Sequence, residues 1–154
     1  MASNTNKKAV LVLAFPLAVI IFILFTKWWI VDVIDGPDCV MYGYPLVYKS
    51  PAFHTSMAQQ YFIMELLIDL LVYFTIISSI LFLISESISK IKSRKLLVIL
   101  YVIAGGLFGI EILFATVFET SFSIQRDFGI TVKQTGFKFY FSNNEKDEFN
   151  TMHQ

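Results

Sequence analysis

The sequence predicts an all-α membrane protein: three transmembrane helices, with a small extracytoplasmic β-like segment formed by the first outer loop and the C-terminal tail. Three observations lead there. Of the 154 residues, 56% are hydrophobic and only 16% charged, with 16 phenylalanines; that is more apolar surface than a soluble domain of this size hides from water. The apolar residues fall into three runs, each near the ~20 residues a helix needs to cross the ~30 Å hydrocarbon layer. The Lys and Arg residues gather between these runs, densest in one short link. The length allows one domain at most.

Residues 1–8 are read as a cytoplasmic N-terminus and residues 9–30 as the first transmembrane helix. Ala9 to Thr26 carries no charge, and Trp28 and Trp29 suit the far interface. Lys7 and Lys8 precede the run as they would in a signal peptide. The run is longer than an h-region and no A-x-A-like site follows, so an uncleaved anchor is expected. Pro16 frees a carbonyl inside this helix, which a neighbouring helix must satisfy.

Residues 31–60 form the outer loop, which holds the turn-forming Asp35-Gly36-Pro37. An aromatic and β-branched stretch, Val40 to Tyr48, follows, where Gly43 and Pro45 limit any strand to an edge or bulge. Residues 61–84 are the second transmembrane helix, 85–95 a cytoplasmic loop and 96–118 the third helix. The loop carries Lys90, Lys92, Arg94 and Lys95, so the excess of basic residues places the N-terminus in the cytoplasm and the C-terminus outside. A plasma (inner) membrane location follows, with the lipid bilayer as the first partner.

Residues 119–154 are the outer C-terminal tail. Phe137, Phe139 and Phe141 alternate with Lys138 and Tyr140, the pattern of a half-buried strand. Gln134-Thr135-Gly136 suggests a hairpin turn back to Ile130–Lys133, with Gly136 taking the positive φ. Beyond Phe141 the polar run to Glu148 has no periodicity and reads as disordered. Two arrangements remain open for the outer segments. Val40–Tyr48 and the tail pair in one small sheet, or each lies separately in the membrane interface.

Chemistry-bearing residues are few. Glu65 and Asp69 in the second span are four apart and share one helical face. At ~1.5 Å per residue they lie about 6 and 12 Å below the outer end of the helix, and Glu111 in the third span lies about 10 Å below its own. The three thus form a candidate intramembrane acidic cluster at similar depth. Each is costly at the bilayer centre unless protonated, paired or hydrated, by about 2.5–3.5 kcal/mol for an Asp. They serve either as inter-helix glue or as a cation or proton site, and Lys27 is the natural ion-pair partner of Glu65. Gly105 and Gly109 have the GxxxG spacing of close helix packing. With Ala104 and Ala115 on another face, the third helix is expected to be central in the bundle.

Other chemistry is lacking. Cys39 is a lone thiol, read as inert. His54 and His153 have no metal-binding spacing, and no nucleophile motif or phosphate loop is present. A non-enzyme without metal or cofactor is expected. Zero net charge gives no footprint for nucleic acid. The sequence points first to an accessory subunit or partner in a membrane assembly, whether with another membrane protein or as a homo-oligomer. An oligomeric transport or channel component using the carboxylates is the second reading. An immunity-type protein against a membrane-active toxin is the third, on architecture alone.

Overall fold

In the computed structural model the described residues are 2–34, 36–52, 58–84, 94–140, 142 and 148–151. His54, His153, Lys90, Lys92 and Phe141 lie outside them. The elements in order are α1 (Ala2–Leu24), β1 (Phe25–Val33), β2 (Cys39–Tyr42), β3 (Lys49–Pro51), β4 (Gln59–Phe62), α2 (Ile63–Leu83), α3 (Arg94–Val117), β5 (Thr120–Ser123) and β6 (Ile130–Phe139).

The fold is therefore mixed α/β and not all-α: the strands form one six-stranded sheet in the order β5-β4-β3-β2-β1-β6. The expectation failed chiefly at β1. Phe25 to Val33 is aromatic and β-branched, the composition strands favour. Trp28, Ile30, Val31 and Val33 are all buried, so the segment hides both of its faces and reads as a continuous apolar run. Such a run cannot be told from helix by periodicity. The first helix ends at Leu24, six residues short of the expected Ile30, and the two tryptophans belong to the sheet.

The chain divides into two compact units. The helical unit comprises Met1–Ile23 and Leu70–Glu111. Val10, Ala14 and Ala18, spaced by four on α1, pack with Ile77 and Leu81 of α2. The two alanines let the helices approach closely, so that side chains of α2 pack against the α1 backbone. Phe22 meets Tyr73 edge-on, ring centroids 5.5 Å apart. Pro16 has no N–H to give to Val12, and the Tyr101 hydroxyl of α3 donates to that carbonyl instead, at 3.1 Å. Thr75 and Ser79 turn their hydroxyls back onto the carbonyls of Leu71 and Thr75, each at 2.8 Å, leaving neither donor unused.

The strand-rich unit comprises Leu24–Asp69 and Ile112–Gln154. β1 is the spine, antiparallel to β2 on one side and to β6 on the other. β4 and β5 are the parallel pair. The core holds Val31, Val33, Cys39, Met41, Val47 and Phe62, with Trp29, Phe128 and Ile130 packed against it. The segment between α1 and α2 and the C-terminal tail thus share one sheet, joined at two seams, β1 with β6 and β4 with β5.

The tail also departs from its expected hairpin. Ile130–Phe139 is one continuous strand, with a register shift opposite Ile30/Val31. Gly136 stands across from Trp28, and a Cβ there would fall 2.4 Å from the indole ring. The glycine makes room for an aromatic neighbour on β1, a use invisible while Trp28 is assigned to a helix. After β6, residues 148–151 are helical, and Gln134 Nε2 donates to Glu148 Oε2. Glu148, the last residue of the run expected to be disordered, is thereby tied to the sheet.

Candidate functional site

The second helix begins directly after β4, so its first two turns belong to the strand-rich unit. Both of its carboxylates point into loops of that unit. Asp69 is fully buried, with no exposed surface. Its Oδ2 accepts from the Tyr44 amide at 2.5 Å and its Oδ1 from the Leu46 amide at 2.9 Å. These amides lie in the turn after β2, where Gly43 has φ +146° and the Tyr44–Pro45 bond is cis. A Cβ on Gly43 would fall 1.9 Å from the Leu46 carbonyl oxygen, so only glycine fits.

Other backbone groups of this turn are also paired. The Gly43 amide donates to the Lys27 carbonyl at 2.9 Å, and Tyr48 N to Tyr42 O at 3.0 Å. The Trp29 indole N–H donates to the Gly43 carbonyl at 2.8 Å. Without Asp69, two inward-facing amides would have no acceptor, the condition that buried backbone avoids.

One turn earlier, Glu65 Oε1 accepts from the Arg126 amide at 3.2 Å. The Met64 amide, one of the unpaired donors that start a helix, donates to the Ile124 carbonyl at 3.0 Å. Glu65 in the first turn also suits the positive end of the helix dipole. Its Oε2 is buried and has no partner among the described residues. The pair on one helical face thus docks two loops, Asp69 the turn after β2 and Glu65 the segment after β5.

Glu111 is half-buried on α3 and belongs to the helical unit. Lys27 does not pair with Glu65: its ammonium lies 3.5 Å from the centroid of the Trp29 ring, a cation–π contact. Gly105, Gly106 and Gly109 have nothing within 4 Å of a built Cβ among the described residues. On α3 only Ala104 is buried, so the third helix is not the central one. Among the described residues no group of three or more His, Cys, Asp or Glu side chains could hold a metal.

Sequence reasoning found Glu65 and Asp69 but missed Tyr44 and Leu46, because backbone amides carry no sequence signature. The available hint was the Gly43–Pro45 turn, whose amides needed an acceptor. No family model, curated protein or solved structure matches the chain. Chemically, Asp69 uses both oxygens on fixed amides, an arrangement suited to holding a loop.

Elsewhere on the sheet, Lys133 bonds Asp38 at 2.5 Å and lies 3.9 Å from Asp32. The Asp38 hydrogen bond, aided by both carboxylate charges, raises the lysine above its usual 10.5. Cys39 is buried, and desolvation, with Asp38 adding to it, pushes its thiol up to about 12. It stays a neutral thiol, a small apolar core residue.

Proposed function

We propose that the protein spans the membrane three times, with its N-terminus cytoplasmic and its sheet outside, and acts by binding as a non-enzymatic partner in a larger membrane assembly. Three helices are long and apolar enough to cross a bilayer. The strands come from the segments that leave α1, enter α2 and leave α3, so three crossings put every strand on one side. Lys7, Lys8, Arg94 and Lys95 gather at the other ends of the helices, in keeping with the positive-inside rule.

The observation that carries the binding role is the open glycine face of α3. Glycines are costly within a helix, and in membranes they favour close approach by another helix. Here Gly105 and Gly109 receive none among the described residues. A helix of a second membrane protein is the occupant proposed.

Gentle extraction into nanodiscs, followed by native mass measurement, tests this. A hetero-complex that Gly105→Leu and Gly109→Leu dissolve is the expected result. A monomer, or an oligomer indifferent to both substitutions, would refute it. A reporter active only outside the cytoplasm should work after Gln154 and fail after Arg94.

A further inference from the structure

β6 alternates as expected, but its aromatic side faces outward. Phe137 is 51% exposed and Phe139 66%. Both contact Phe25, with ring centroids 5.2 Å apart. This patch sits at one end of the β1–β6 pair, where β1 begins immediately after Leu24 of α1. The Tyr140 amide donates to the Leu24 carbonyl at 2.8 Å, tying that end of β6 to the last residue of the helix.

The opposite edge of the sheet repeats the arrangement. On and after β5, Phe122 is 64% exposed and Ile124 77%. The Ile124 carbonyl binds the amide of Met64 in the first turn of α2. Both edge strands therefore hold bare apolar side chains at the points where the chain passes between sheet and helix.

Lys27 and Lys138 stand beside the aromatic rings, in cation–π contact with Trp29 and Tyr42, whereas the carboxylate of this strand pair lies at the far end. Asp32 and Lys133, with Asp38, lie toward the end away from Leu24. Asp32 is seven residues beyond Phe25, about 23 Å at ~3.3 Å per residue. Phe137 pairs with Lys27, only about 7 Å along the strand by the same rise. The interfacial layer on each side of the hydrocarbon is roughly 5–8 Å thick. Lys27 and Asp32 are five residues apart, about 16 Å by the same rise, so a layer of that thickness can take the aromatic end without the acidic one. Ile34 and Val132 are exposed nearer the acidic end as single side chains, which need no cover.

We infer that the helix-proximal ends of both edge strands rest in the outer interfacial layer of the bilayer, with Phe137, Phe139, Phe122 and Ile124 touching lipid. This rests on the reading that α1–α3 cross the membrane. Phe and other apolar side chains seat at the boundary of headgroups and acyl chains, and lipid would cover the surface of these side chains that Phe25, Tyr44 and Tyr61 leave exposed.

Spin labels placed singly at positions 102, 122, 131, 137 and 139 test it, in full-length protein in vesicles of equal phosphatidylcholine and phosphatidylglycerol. Cys39 is buried and stays unlabelled. Accessibility to oxygen, which concentrates in lipid, is compared with accessibility to a water-soluble nickel chelate. The expected oxygen-to-nickel ratio at 122, 137 and 139 is several-fold above that at 131. Position 102, exposed on α3, reports on the spans themselves. A lipid-like 102 with water-like 137 and 139 overturns the interfacial seat alone. A water-like 102 overturns the spanning reading beneath it. Shielding of 137 and 139 from both reagents means a protein covers the patch and also overturns the inference.

Discussion

Replacing Asp69 by Asn should destabilise the fold, although the change is isosteric. The carboxylate accepts one amide on each oxygen, from Tyr44 at 2.5 Å and from Leu46 at 2.9 Å. An Asn side chain offers one acceptor oxygen and one donor NH2. Whichever way it flips, one backbone N–H faces another donor. An orphaned buried donor costs about 1–3 kcal/mol, and that is the expected loss for Asp69→Asn. Asp69→Ala orphans both amides, for about 2–6 kcal/mol on the same scale. The Trp29 indole is hydrogen-bonded to the Gly43 carbonyl in the same turn, so tryptophan fluorescence during denaturant titration in micelles reports this transition. A further check is order: wild type most stable, then Asn, then Ala. An Asn variant within about 0.5 kcal/mol of wild type, the ordinary scatter of neutral surface changes, would show that Asp69 does not bridge the two amides.

Other outcomes follow from single contacts. Tyr101→Phe removes the donor to the Val12 carbonyl beside Pro16; the loss should be about 0.6 kcal/mol and no more than ~1.7, measured by unfolding in bicelles. Gly136→Ala drives a methyl to within 2.4 Å of the Trp28 ring, an overpacking of about 1–3 kcal/mol, and should alter the near-ultraviolet dichroism of the tryptophans; an unchanged spectrum would count against the register. Lys133 has a folded pKa above its ordinary 10.5, so its contribution is complete below about that pH and fades as pH rises through the folded value. Lys133→Met should therefore narrow its stability gap from wild type in alkaline solution, and a gap that widens would contradict the ion pair. Cys39, with its thiol pushed up to about 12, should resist maleimide at pH 8 while folded and react once denatured.

The three long apolar helices were legible in the sequence because hydrocarbon-crossing length is a local property: a run of about 20 apolar residues announces itself. The shared face of Glu65 and Asp69 was legible for the same reason, since helix geometry alone places residues four apart together. The alternation in Phe137–Phe139 was visible too, although its outward direction was not.

Only the tertiary structure decided the rest, because pairing is non-local. Phe25–Val33 is a strand because β2 and β6 flank it, and without those partners its apolar run merges with the helix before it. Gly136 reads as a turn until Trp28 stands opposite it. The partners of Asp69 lie 23 and 25 residues away and are main-chain amides, identical in every residue but proline. The open face of α3 was likewise undetermined, since a GxxxG spacing states that a helix can approach and leaves unsaid which one. Composition and periodicity set where the chain is apolar and helical; backbone hydrogen bonds between distant segments set how its polar groups are satisfied.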